Sequence, residues 1–198
     1  MARVVAVVGT PGVGKTTLCS FLSKKYGYRH VEIGSLVAAG KLYSGYDEER
    51  RAPIADVKRL RQEVRSLIAR PESKVVLLDG HYAHDLVGDT TTFGVFVMRF
   101  HPVRLYRRSL RLYDIRKAKE NCLSEFLGTI AFEARKSHSR VADVDCTGLP
   151  VSKVASKLTR LLSKRRFPRT PPIDWTKRLD DGSVRRFLRV VEAQVLLG

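Results

Sequence analysis

The stretch Arg3–Thr16, RVVAVVGTPGVGKT, decides the fold. Val4-Val5-Ala6-Val7-Val8 is an unbroken, mostly β-branched apolar run, the pattern of a short strand buried on both faces. Gly9-Thr10-Pro11-Gly12-Val13-Gly14-Lys15-Thr16 follows at once and fits G-x-x-x-x-G-K-[ST]. Thr17 to Tyr26 then carry Leu18, Phe21 and Leu22 at helical spacing, and Gly27 ends the helix. A strand, a glycine-rich turn and a helix in this order make a phosphate cradle. The glycines let successive N–H groups turn inward, and the helix N-terminus adds partial positive charge. Gly12, Val13 and Gly14 supply backbone, Lys15 reaches the β- and γ-phosphates, Thr16 is a Mg²⁺ ligand, and Thr17 donates to the α-phosphate. The guanine-reading N-K-x-D is absent and the sole Asn is Asn121, which favours ATP with Mg²⁺.

Outward from the loop, strands and helices alternate. Tyr28 to Ile33 reads as a second strand and Gly34 to Ala39 as a short helix. A loop runs through Ala52, and Pro53 opens a helix with Ile54, Val57, Leu60, Val64 and Leu67 on one face, closed by Pro71. Lys74–Asp79 (KVVLLD) and Phe93–Phe100 (FGVFVMRF) are strands. Pro102 starts a basic helix to about Leu110, and a further helix spans about Lys117 to Ser137. Val141 to Cys146 reads as the last strand and Val151 to Leu162 as a packed helix. The expectation is an α/β fold: a P-loop NTPase of nucleoside-monophosphate-kinase type, with a five-stranded, mostly parallel sheet covered by helices on both faces.

Three acidic and basic features join the loop. Asp79 ends an apolar strand where a parallel sheet places an acid beside bound nucleotide, and it would act on Mg²⁺ through water. His81, two residues on, stands where it would orient water or bond a phosphate. The run Arg104, Arg107, Arg108, Arg111, Arg116, Lys117 and Lys119 reads as a cationic lid over the phosphates. Arg111, with Arg116 beside it, is the expected clamp on the transferring group.

The 198-residue chain carries 37 basic and 20 acidic residues, net +17. Arg50–Arg70 has net +5, Arg99–Lys119 net +7 and the segment from Arg160 onward net +6. That surplus implies an anionic partner such as RNA, and places RNA binding in 99–119 and 160–198. The three Cys have no paired or metal-like spacing and read as small buried thiols in a reducing compartment. No apolar stretch is long enough to span a bilayer, and the first apolar run is too short for a signal peptide. A cytoplasmic monomer away from the membrane is the expectation, nuclear in a eukaryote. Residues 1–165 are expected to form the nucleotide-binding domain. Residues 166–198 comprise RFPRTPP (Arg166–Pro172), a linker or wrapped segment, and a basic helix over Ser183 to Leu197.

The motifs in order resemble the CINAP-like adenylate kinases, also called adenylate kinase isoenzyme six. They are GTPGVGKTTL, then Ile33-Gly34-Ser35-Leu36, then Leu42-Tyr43-Ser44-Gly45-Tyr46-Asp47-Glu48-Glu49 before Pro53-Ile54. After these come Asp79-Gly80-His81, Arg111-Leu112-Tyr113 with Lys117, Glu120, Asn121 and Glu125, and Phe132-Glu133-Ala134. Ser35 stands where that family usually has Asp, and Leu112 replaces a lid Gly. The resemblance covers about residues 3 to 163, and the tail has no counterpart in it. It implies a monophosphate-binding insertion near 33–56, with Gly34, Ser35, Tyr43 and Tyr46 on an AMP- or ADP-type substrate, and a lid near 109–120. It also implies adenylate kinase and ATPase activities, and a role in small ribosomal subunit assembly with ribosomal RNA and a platform ribosomal protein as partners. Two other readings fit the residues: a metabolite kinase with a non-nucleotide acceptor, and an RNA-binding assembly factor switched by ATP without phosphoryl transfer.

Overall fold

The computed structural model describes residues 2–47, 52–69 and 72–192. Its main sheet is five-stranded and wholly parallel, in the order β2 (Arg29–Glu32), β5 (Val75–Asp79), β1 (Arg3–Val8), β6 (Gly94–Arg99), β7 (Val141–Asp145). Val7 lies beside Asp79 in register on one side and Phe96 on the other. Because both faces are covered, alternate residues of β1 serve two cores. Val5 and Val7 pack with Leu18 and Leu22 of α1 (Lys15–Tyr26) and with Val154 and Leu158 of α7 (Val151–Leu162). Val4, Ala6 and Val8 pack on the other face with Val37 of α2 (Ile33–Ala39) and with Leu60 and Val64 of α3 (Val57–Ala69). Ile130 and Ala134 of α6 (Thr129–Ser137) complete that face.

Two expectations are corrected. The loop through Ala52 and the helix from Pro53 are instead an antiparallel hairpin, β3 (Tyr43–Asp47) with β4 (Ala52–Ala55), and the helix begins at Val57. Leu60 and Val64 are buried as expected, but Ile54 is on a strand and exposed. Strand pairing outweighs the helix-start preference of Pro53. Pro71 lies outside the described residues, as do Glu48, Glu49 and residues 193–198. The long helix to Ser137 is two helices, α5 (Ile115–Leu127) and α6, broken at Gly128 with φ +70. A side chain there would be strained by that φ and would crowd the Arg99 guanidinium, 3.3 Å from an added Cβ. The basic helix α4 (Pro102–Ser109) and α7 match their sequence bounds closely.

The tail is wrapped rather than free. Phe167, Ile173 and Trp175 are all buried. α8 (Trp175–Arg178) and α9 (Asp181–Glu192) follow, and Phe187 of α9 stacks on Phe126 of α5 with centroids 3.9 Å apart.

Cys19, Cys122 and Cys146 are free and buried. Burial pushes the Cys122 and Cys146 thiols up to about 12, and Cys19 well above its ordinary value. Thiolate is the reactive form, so all three stay protonated near neutrality. A thiol-specific reagent at pH 7.5 should label none of them in the folded protein and all three after denaturation, as counted by mass spectrometry. Among the described residues no helix is long and apolar enough to cross a membrane.

Candidate active site

The loop between β1 and α1 opens at the carboxyl end of the sheet, where parallel α/β sheets bind ligands. Gly14 caps α1 in the left-handed region at φ +104, with no side-chain cap. The first N–H groups of α1 therefore have no side-chain partner from the cap residue, the arrangement that receives an anion. Lys15 Nζ donates to Gly9 O at 2.9 Å and Thr10 O at 3.3 Å, within the loop itself. Burial lowers the Lys15 pKa, opposed by the charges of Asp79 and, more weakly, Glu125. Thr16 and Thr17 are exposed at the start of the helix.

Asp79 is buried at the end of β5, next to β1. His30 of β2 holds it, Nε2 to Oδ2 at 3.0 Å, and Cys19 closes a cluster whose donor atoms lie within 4.8 Å of one another. His81 is exposed at the same mouth, with its ring edge-on to Tyr82 at 4.6 Å. Desolvation, then the Lys15 and Lys117 charges, lower its pKa to about 4, so the ring is neutral near pH 7. An exposed threonine hydroxyl and a carboxylate make a hard oxygen donor pair, which fits Mg²⁺.

α2 starts immediately beside this carboxylate, because Glu32 is in register with Asp79 and a Cβ on Gly80 would lie 3.0 Å from Ile33. Gly34 and Ser35 are exposed there, and Ser35 Oγ donates to Glu32 Oε2 at 2.7 Å. Tyr43 and Tyr46 project from β3, about half exposed.

On the other side of the loop, α4 supplies cover. A Cβ on Gly14 would lie 3.6 Å from the Arg108 guanidinium, and Arg108 stacks over Phe100 at 5.8 Å. Val13, Gly14, Thr17, Phe100, Arg108, Leu149 and Val151 are among the residues lining a cavity of about 150 Å³. Arg111, in the turn between α4 and α5, is exposed. Arg108, on α4, thus lies against the loop; the sequence pattern points to Arg111. Val13, at the loop's centre, is buried and anchors it to the core.

Three residues outside the expected set turn out to shape the site: His30, Thr10 and Glu125. Thr10 Oγ1 donates to Glu125 Oε2 at 2.6 Å, and Arg99 Nε donates to Glu125 Oε1 at 2.8 Å. Arg99 is 2% exposed and also pairs with Asp143 at 3.2 Å. Arg99 and Lys119, both within the basic segment 99–119, are therefore buried and not available to RNA. His30 gave no sequence signal, since a strand histidine reads as any half-buried polar residue.

A wholly parallel sheet with a glycine-rich loop, the lysine of that motif and an acid on the neighbouring strand defines a phosphate-binding α/β protein. The model of a family described as an AAA domain matches residues 5–128. A protein named "Putative adenylate kinase" from Thermococcus gammatolerans is 32% identical over 183 residues, covering 90% of this chain and 96% of that protein. One of the same name from Saccharolobus islandicus is 32% identical over 192 residues, covering 96% of this chain and 94% of that protein. The chain belongs to the family of these archaeal proteins and, over residues 5–128, to that of the AAA-domain model. The second similarity reaches past residue 165, so the tail does have counterparts. A crystal structure of shikimate kinase from Bacteroides thetaiotaomicron shares the fold at TM-score 0.58 and 16% identity, covering 82% of this chain and 99% of that one.

Proposed function

We propose that the protein is an adenylate kinase that moves the γ-phosphoryl group of ATP to AMP, with ATP hydrolysis as a second activity. The observation that supports this is that β5, which ends in Asp79, lies between β1 with its glycine-rich loop and β2 with α2 directly after it. The loop and the Arg108–Phe100 cavity lie on one side, and the exposed start of α2 on the other. Phosphoryl transfer needs little covalent chemistry from a protein; positioning and charge stabilisation do most of it. Lys15 and the loop amides hold the phosphates. Arg108, with Arg111 in the turn after α4 and Arg116 at the start of α5, neutralises charge on the transferring group. Gly34, Ser35, Tyr43 and Tyr46 receive the acceptor. Thr16 and, through water, Asp79 would hold Mg²⁺, which would supply neutralisation of phosphate charge. A screen of AMP, other nucleoside monophosphates and small alcohols as acceptors tests the reading. AMP should be among the best, and preference for a small alcohol would make the protein a metabolite kinase instead.

His81 separates the two activities. An anionic phosphate acceptor brings its own nucleophile, whereas water gains more from a neutral base that orients it. His81→Ala should lower ATPase activity by about tenfold or more and AMP phosphorylation much less. Measured on one folded variant, a parallel loss of both rates would contradict this role.

A role in small ribosomal subunit assembly, with ribosomal RNA and a platform ribosomal protein, is the second part of the proposal. One observation favours it: the two most basic segments meet in one groove. His101, which caps α4, and Arg104 and Arg107 of that helix line a cavity of about 370 Å³ with Ser183 and Arg186 of α9 and with Asp180. Changing Arg104, Arg107 and Arg186 to Gln should flatten the slope of log affinity against log salt by about 0.7–0.9 for each phosphate no longer neutralised. An unchanged slope would turn this groove over to solvent or to protein.

A further inference from the structure

The tail rises alongside the edge strand β7 to reach Glu125, the carboxylate that bonds the phosphate loop. At the bottom, Phe167 packs edge-on to Phe93 with centroids 5.8 Å apart, over Gly94, where an added Cβ would fall 2.2 Å from the ring. Midway, the Thr170 N–H donates to Val141 O at 3.0 Å, and its hydroxyl accepts from the Asp143 N–H at 2.9 Å. Higher, the Ile173 N–H donates to Asp143 Oδ2 at 3.0 Å, and its carbonyl accepts from Arg99 at 2.8 Å. At the top, the Trp175 indole N–H donates to Glu125 Oε1 at 3.0 Å. The other oxygen of that carboxylate accepts from Thr10.

One buried carboxylate thus joins the loop to the tail. Glu125 is 2% exposed and Trp175 4%. Oε1 also accepts from Arg99 Nε and, at 3.1 Å, from the Phe100 N–H. Charge-assisted bonds in a low-dielectric interior are strong, and several donors fix a carboxylate in one orientation. Thr10, so held, presents its carbonyl to Lys15 Nζ. A continuous chain of bonded residues runs Trp175, Glu125, Thr10, Lys15.

We propose that Trp175 is a positioning residue for the phosphate loop, acting through Glu125 on Thr10, so that the tail is part of the nucleotide site rather than an appendage. This rests on nucleotide phosphates binding at the loop, and is independent of which acceptor is used. When phosphates take up the Lys15 ammonium, the loop carbonyls lose it, and the change reaches the indole through the shared carboxylate.

Trp175 is the sole tryptophan, so its emission reports on this position alone. The full chain is titrated with Mg-ADP, with excitation at the red edge of the indole band where adenine does not absorb, and calorimetry is run in parallel. The expected result is a saturable change in emission that follows the calorimetric isotherm. Thr10→Val cuts the link at the loop and should saturate by calorimetry without that change. Trp175→Phe keeps the ring bulk and loses the N–H; it should raise KM for ATP about five- to tenfold and leave KM for AMP unchanged. Flat emission in the wild type under calorimetric saturation would overturn the proposal. So would a wild-type response in Thr10→Val, or a wild-type KM for ATP in Trp175→Phe. Absence of calorimetric binding to the wild type would overturn the nucleotide reading itself, and this inference with it.

Discussion

Lys15→Ala is expected to lower both AMP phosphorylation and ATP hydrolysis by about 10²–10³-fold or more, in a protein that remains folded. Lys15 is the cation whose bonds lie wholly within the loop, at Gly9 O and Thr10 O, so it is free to exchange them for phosphate oxygens. Its removal takes away charge stabilisation that grows as the phosphoryl group transfers, and the loss falls on the transition state. Stability should not suffer. Burial lowers the pKa of this lysine, which means the folded protein holds its charge against desolvation. An alanine there removes that cost, so the thermal midpoint should stay or rise slightly. Turnover measured beside circular dichroism separates a lost clamp from a lost fold.

The second large effect is on stability. Arg99→Met should destabilise the protein by about 3–5 kcal/mol, because among the described residues it leaves two buried carboxylates with one bonded cation, on Asp143. Arg99 bonds Glu125 through both its side-chain carboxylate and its backbone carbonyl, and bonds Asp143 and the Ile173 carbonyl as well. Arg135, at 2.6 Å from Asp143, is the cation left behind. For a chain of this size the loss should lower the thermal midpoint by about 6–20 °C. The double variant Arg99→Met with Glu125→Leu removes a charge of each sign and should recover much of the loss, since apolar replacement of a whole buried pair is often near neutral. A double variant no better than the single would mean that packing around Arg99, not its charge, dominates.

These residues also mark where sequence reasoning stops. The strands are legible because a parallel sheet covered on both faces demands continuous apolar runs, and Val4–Val8 and Val75–Leu78 are such runs. The loop and Asp79 are legible because phosphate chemistry needs those residue types at those spacings. The Arg99 network is not. Its partners lie 26, 44 and 74 positions away, and nothing local distinguishes a buried Arg from the exposed ones around it. By sequence Arg99 belongs to a solvated basic segment, and Glu125 enters only as part of a lid pattern. The break at Gly128 is hidden because apolar residues continue at helical spacing through it. The β3–β4 hairpin is hidden because Pro53 is as compatible with an edge strand as with a helix start. The tail's prolines signal wrapping, but not that the segment carries Trp175 to Glu125, the carboxylate that bonds the loop.

Transfer to a nucleoside monophosphate at this site moves the γ-phosphoryl group of ATP onto AMP as the β-phosphate of ADP. The most direct measurement follows label from γ-phosphate-labelled ATP, with Mg²⁺, in the presence and absence of AMP, for wild type and Lys15→Ala. Labelled ADP should appear only with AMP and be lost in the variant, alongside slower release of labelled inorganic phosphate. Label found solely as inorganic phosphate, at a rate indifferent to AMP, would contradict it.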